Sequence, residues 1–315
     1  MMKKLIGALV LGLLIVSVVV AAAVSGGRTP GARGVGGGGK IGIIYIEGII
    51  TAGETDGGLF GGRTSGTGGI LDALRRAEED PGVKAVVLRI DSPGGTAAAS
   101  QEVARAVERV KRAGKKVVTS MADVAASGAY WVAAGSDCIF ANPATITGSI
   151  GVLIETFEMT GLYGKLGVSK QTIKSGPYKD MGSESRPMTP QERAIFQGMV
   201  NDIYAQFIDR VAIGRKMRRE KVLSLADGRV FTGRQAKEVG LVDELGDLRD
   251  AVRYAGRLAG IKGEPEVVNL GPGRFPWESL LRGVTGDSFF SSRMLPVWLL
   301  GPQLAPERGI IYGDR

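Results

Sequence analysis

The sequence predicts an α/β fold built on a largely parallel sheet, and three observations carry that prediction. Strand-length apolar runs alternate with helix-length segments between residues 40 and 141. The runs Lys84–Ile90, Lys116–Met121 and Cys138–Ala141 are apolar on both alternating positions over much of their length, as expected of strands buried on both faces. Hydrophobic residues make up 44% of the 315 and charged residues 23%, which is enough to bury a sizeable core. A β-α-β-α-β order implies right-handed crossovers and helices packed around the sheet.

In chain order, Met1-Met2-Lys3-Lys4 precedes an uncharged run, Leu5–Val24. At ~1.5 Å per residue that run reaches about 30 Å, the thickness of a hydrocarbon core. Ala21-Ala22-Ala23 offers a signal-peptide cleavage site, but the length favours a retained transmembrane helix. Lys3, Lys4 and the amino terminus stand against Arg28 and Arg33, which places the N-terminus inside and the body of the protein on the extracytoplasmic side of the cell membrane. The expected organisation is residues 1–25 as cytoplasmic N-terminus and anchor, 26–39 as a Gly-rich linker, 40–270 as one folded domain and 271–315 as a C-terminal tail without a readable motif.

Within the folded part, Ile41–Gly48 reads as the first strand and Thr51–Gly69 as a glycine-rich loop or flap. Ile70–Glu78 places Leu71, Leu74 and Ala77 on one helical face. Strand Lys84–Ile90 runs into the turn Asp91-Ser92-Pro93-Gly94-Gly95, followed by a helix over Ala97–Arg112. Strand Lys116–Met121, a short helix after Ser127 and strand Cys138–Ala141 follow. Thr145–Val152 reads as a turn entering a strand, Glu155–Leu166 as a helix, Lys170–Lys174 as a strand and Ser175–Arg186 as a loop. Thr189-Pro190-Gln191-Glu192 has a cap, a proline at the first helical position and an acid in the first turn, so it starts a helix that runs to about Lys216. Ile195, Met199, Ile203 and Ile208 form its expected apolar face. Glu220–Ala226, Gly233–Glu238 and Leu248–Leu258 read as short helices and Pro265–Leu270 as a last strand.

Composition excludes several chemistries. The chain has no histidine, which removes Ser-His-Asp and Cys-His mechanisms, a histidine general base and His-ligated zinc. Its single cysteine, Cys138, rules out an intrachain disulfide and any multi-cysteine metal site within one chain, so no cofactor or metal is expected. The net charge of +8 is not gathered into a basic patch interleaved with aromatics, so nucleic acid is not an expected partner. A mild attraction to anionic lipid is compatible with that charge.

The segment Ala125–Gly135 is small and apolar, apart from Ser127 and the phenol and indole of Tyr130 and Trp131. A serine between a strand and a helix start suits a plain N-cap, and it equally suits a nucleophile whose oxyanion meets free helix N–H groups. Without histidine an active serine needs another base. Lysine serves when burial depresses its pKa and frees its lone pair. Lys179 stands out because it sits in a Gly/Pro/Tyr loop rather than on a polar helix face.

Four blocks, Asp91-Ser92-Pro93-Gly94-Gly95, Ala126-Ser127-Gly128-Ala129-Tyr130, Thr147-Gly148-Ser149-Ile150-Gly151-Val152 and Ser175-Gly176-Pro177-Tyr178-Lys179-Asp180, resemble the signal peptide peptidase SppA family, membrane-bound Ser-Lys peptidases of the Clp protease/crotonase superfamily. Asp227–Ala236 and Gly240–Gly246 extend the resemblance, which spans about residues 40–270. It implies repeated β-α-β units around a largely parallel sheet, Ser127 as nucleophile, and Lys179, 52 residues later, as general base. It also implies Ser149 as the hydroxyl that orients the lysine amine, and backbone oxyanion donors at Gly95 (Gly94 the fallback) and Gly128. The implied substrates are apolar signal-peptide remnants left in or at the bilayer. The implied assembly is a homo-oligomer whose active sites are completed between protomers. A related Ser-Lys peptidase acting on other membrane or misfolded proteins, a crotonase-type acyl-CoA enzyme and an inactive membrane-anchored scaffold are the rival readings.

Overall fold

The computed structural model describes residues 39–53 and 64–271. The expected anchor Leu5–Val24, almost all of the linker and the tail after Gly271 lie outside the described residues. Among the described residues no helix is long and apolar enough to cross a membrane.

The strands are β1 (Lys40–Glu47), β2 (Ile49–Thr51), β3 (Thr64–Gly66), β4 (Val83–Ser92), β5 (Lys116–Ala126), β6 (Cys138–Ala141), β7 (Ile146–Gly148), β8 (Val230–Thr232), β9 (Glu244–Leu245) and β10 (Glu266–Asn269). The helices are α1 (Thr67–Glu79), α2 (Ala97–Arg112), α3 (Gly128–Ala133), α4 (Thr160–Lys165), α5 (Pro190–Arg215), α6 (Arg219–Leu223), α7 (Gly233–Val239) and α8 (Leu248–Leu258). The main sheet runs β10-β1-β4-β5-β6-β9 with every neighbour parallel, and β7 pairs parallel with the far end of β5. The antiparallel pair β7–β8 is the exception.

Each central strand feeds two cores, because successive side chains point to opposite faces. On β4, Val86, Leu88 and Ile90 join Leu74 of α1 and Val103 and Val107 of α2, while Ala85 and Val87 join Ala251 and Ala255 of α8. This two-sided burial is why these strands read as apolar runs rather than alternating ones. Helix α5 starts on the expected capping box: Thr189 Oγ1 accepts from the Glu192 N–H, and Glu192 Oε2 accepts from the Thr189 N–H.

Four expectations are corrected. The helix expected over Glu155–Leu166 is only α4, Lys170–Lys174 forms no strand, and residues 149–159 belong to no helix or strand. Leu153, Phe157, Leu166 and Ile173, apolar residues in and around that stretch, are all exposed. On α5 the buried face is Glu192, Phe207, Ile208 and Val211, whereas Ile195 and Met199 are exposed. The loop expected to end at Gly69 ends earlier, at β3 and the start of α1.

Candidate active site

Strand β5 delivers Ser127 to the start of α3 in a conformation that L-residues avoid, φ 52° and ψ −122°. Such a backbone costs about 1–3 kcal/mol and persists only where neighbours over-determine it. Here the Ser127 N–H donates to the Gly148 carbonyl at 2.9 Å, and Trp131 N–H donates back to the Ser127 carbonyl at 3.0 Å. The hydroxyl makes no cap hydrogen bond, so the plain N-cap reading of Ser127 does not hold.

Helix α3 is anchored from several sides. The Trp131 and Phe207 rings stack at 4.7 Å between centroids, Tyr130 Oη donates to the Leu241 carbonyl at 2.8 Å, and Arg210 Nε donates to the Trp131 carbonyl at 3.3 Å. Burial pushes the Tyr130 phenol well above its ordinary pKa, so it stays a neutral donor.

The turn after β4 comes up against this helix start. Ile50 of β2 crosses it, its N–H donating to the Gly94 carbonyl at 2.8 Å and its carbonyl accepting from the Thr96 N–H at 3.0 Å. The Gly94 N–H donates to Ser92 Oγ at 3.1 Å, whereas the Gly95 N–H has no partner among the described residues. A Cβ on Gly95 would lie 1.9 Å from the Ile50 carbonyl oxygen, which is why only glycine fits. A Cβ on Gly128 would meet Ser100 Oγ at 2.2 Å and the Gly95 nitrogen at 3.1 Å, so the two glycines are in close approach. The Gly128 N–H opens α3 and is likewise without a partner among the described residues. Two unpaired amides thus flank an uncommitted hydroxyl, an arrangement able to hold an oxyanion.

Ser127, Gly95, Gly128 and Ser149 all line one cavity of about 860 Å³. Its walls are Ile49, Thr96, Trp131, the extended stretch Gly151–Ile154, the α5 residues Val200, Ile203, Tyr204 and Phe207, and the turn Ala226–Gly228. Ser149 also has a positive φ, 49°. The α5 wall, β2 and Asp227 were not singled out by sequence reasoning. The α5 apolar face was its available signal, and Ile203 was on the face it named.

Lys179 is placed differently. It is exposed, has no side-chain partner among the described residues and is not among the residues lining this cavity. Its loop is moored near the first turn of α5 through Asp180, Arg186 and Glu192. From Glu192 to Tyr204 the helix climbs about 18 Å at ~1.5 Å per residue. The structure therefore brings Ser127, Ser149, Gly95 and Gly128 together and leaves the chain's own Lys179 outside their cavity. Among the described residues no group of three or more His, Cys, Asp or Glu side chains is placed to hold a metal ion.

Comparison with known proteins agrees on a family. The family described as Peptidase family S49 matches residues 109–262. A Synechocystis protein named as a protease is 44% identical over 249 residues, covering 79% of this chain and 84% of that one. A Methanocaldococcus jannaschii protein named as a protease is 40% identical over 236 residues, 75% of each chain. An Enterococcus faecium protein bearing the name signal peptide peptidase SppA is 40% identical over 214 residues, covering 68% of this chain and 62% of that one.

Proposed function

The chain belongs to peptidase family S49, the SppA family of serine peptidases, and from that premise we propose that it hydrolyses peptide bonds with a Ser127–Lys179 dyad. Ser127 Oγ attacks the scissile carbonyl carbon while the Lys179 amine takes its proton. The tetrahedral oxyanion rests on the Gly95 and Gly128 N–H groups, each stabilising the transition state by roughly 3–4 kcal/mol. Lys179 returns the proton to the departing amine as the C–N bond breaks, then takes one from the water that opens the acyl-enzyme ester. Ser149 accepts a hydrogen bond from the lysine amine and orients it. The observation that carries this reading is the strained Ser127, its hydroxyl without a cap hydrogen bond, lining one cavity with Gly95 and Gly128, whose N–H groups have no partner among the described residues.

The lysine that serves a given Ser127 comes from a second copy of this chain, and the active unit is a homo-oligomer. Two features support this. The chain's own Lys179 lies outside the cavity, and the stretch from the cavity wall to the lysine loop exposes Leu153, Phe157, Leu166 and Ile173, apolar surface that a second copy would cover. Substrates are apolar signal-peptide remnants in or at the membrane, which the Ile49, Trp131, Ile203 and Phe207 lining suits. The Leu5–Val24 anchor holds the domain on the extracytoplasmic side of the cell membrane, near such peptides.

The test is labelling by a fluorophosphonate probe beside peptide profiling. Wild-type protein should be labelled at Ser127, cleave apolar peptides and lose both activities as Lys179→Ala. Undiminished labelling and cleavage by Lys179→Ala would sink the dyad. Turnover of acyl-CoA instead of peptides would replace it with crotonase-type chemistry.

A further inference from the structure

Lys179 belongs to no helix or strand, so other contacts must set where its amine stands. We infer that Arg186 is the positioning residue for Lys179, clamping the lysine loop to the first turn of α5 through the flanking carboxylates Asp180 and Glu192. The inference rests on the reading of Lys179 as general base given above.

The clamp is built from both ends. Arg186 Nε donates to Asp180 Oδ2 at 3.1 Å and Nη2 to Asp180 Oδ1 at 2.8 Å, so the guanidinium forks onto the residue that follows Lys179. Its Nη1 donates to Glu192 Oε2 at 2.9 Å and its Nη2 to Glu192 Oε1. Glu192 is in turn the carboxylate of the α5 capping box, so its position is fixed by the helix. Lys174 Nζ adds a second cation on Asp180 Oδ1 at 2.6 Å.

Exposed ion pairs contribute little, but this one is not freely exposed. The Glu192 side chain is 2% accessible and that of Asp180 14%. A planar guanidinium can engage two carboxylates at once, each through paired N–H groups, whereas a lysine at 186 offers one point charge. The backbone around Lys179 makes short turns, Lys179 N–H to the Gly176 carbonyl at 3.2 Å, Met181 N–H to the Tyr178 carbonyl at 3.1 Å and Ser183 N–H to the Asp180 carbonyl at 3.0 Å, while the Glu184 carbonyl accepts from the Met159 N–H at 2.7 Å, not from α5. Those turns shape the loop locally. Among the described residues the Asp180–Arg186–Glu192 chain carries the side-chain hydrogen bonds that tie it to α5, the helix whose later turns wall the Ser127 cavity, and Gly182 comes up against Phe196 of the same helix.

The experiment is a double-mutant cycle in the full-length, assembled protein, with peptide cleavage as readout and an activated ester as the substrate for slow variants. Arg186→Gln should lower kcat at least tenfold and leave KM within threefold, and Arg186→Lys should recover part of the loss. The double variant Lys179→Ala/Arg186→Gln should be no slower than Lys179→Ala, because the arginine acts only through the lysine. If Arg186→Gln does not fold, Asp180→Asn takes its place in the same cycle, with the same expectations. An Arg186 variant with wild-type kcat beside a dead Lys179→Ala overturns this inference alone. So does a double variant slower than Lys179→Ala by the Arg186→Gln factor. Wild-type activity in Lys179→Ala overturns both this inference and the dyad.

Discussion

Ser127 and Ser149 leave neighbouring parallel strands at the same level, each one residue beyond the paired Ala126 and Gly148, and each with positive φ, 52° and 49°. The Ser127 N–H to Gly148 carbonyl bond at 2.9 Å couples the two turns. Both residues line one cavity, and both backbones turn through a region that L-residues avoid.

That strain is measurable. Glycine adopts positive φ without steric cost, whereas alanine retains the strain. Ser127→Gly should therefore be more stable than Ser127→Ala by about 1–2 kcal/mol, and both should be inactive. Calorimetry of the two variants checks this. Equal melting temperatures would mean the backbone at 127 is not strained.

The close approach of α2 to the Ser127 turn gives a second outcome. A methyl on Gly128 would strike Ser100 Oγ at 2.2 Å. Gly128→Ala should cost about 1–3 kcal/mol through overpacking, and Ser100→Gly in the same chain should recover much of it. Additive effects in denaturant unfolding would contradict that contact.

Acid should loosen the α5 cap and the lysine loop together. Hydrogen bonds from Arg186 hold Glu192 down to about 2 and Asp180 well below the ordinary carboxylate range. Both folded-state values lie below the unfolded ones, so their contribution is present above the ordinary carboxylate range and is lost as pH falls, for Glu192 between about 4.5 and about 2. Glu192→Gln should be less stable at pH 7 and show a shallower loss of stability between pH 5 and pH 2. Urea unfolding across that range measures it, and parallel curves for variant and wild type would refute it.

Cys138 should be inert while the chain is folded. Burial, chiefly, pushes its thiol up to about 11. Because the folded value exceeds the unfolded one, this group's contribution is full below about 9 and is lost as pH rises towards about 11. A thiol reagent at pH 8 should modify it only on unfolding, and rapid modification of native protein would contradict its burial.

Much of the fold was legible because the elements that build it are buried by the chain itself. The bounds of α2, β6 and α8 are those that periodicity predicts. The strands β2, β8 and β9 were not, since segments of two or three residues are strands only by virtue of the neighbour they pair with. Residues 153–173 misled for a related reason: their apolar content records burial but not against what, and among the described residues Leu153, Phe157, Leu166 and Ile173 stay exposed. At the site, Ser127, Ser149 and the glycines could be named from motif blocks. That the Gly94 N–H donates to Ser92 while the Gly95 N–H has no partner among the described residues needed the turn itself. That Lys179 stands outside its own chain's cavity follows from the ion pairs at the foot of α5, which no single motif displays.

The most direct measurement is complementation between two inactive variants. Ser127→Ala and Lys179→Ala proteins are purified separately, dissociated, mixed and reassembled, and assayed on an apolar peptide. A site shared between copies predicts that each variant alone is inactive and that the reassembled mixture regains a substantial fraction of wild-type activity. A mixture as inactive as its parts, in oligomers shown to have exchanged subunits, would contradict a lysine supplied by the neighbouring copy.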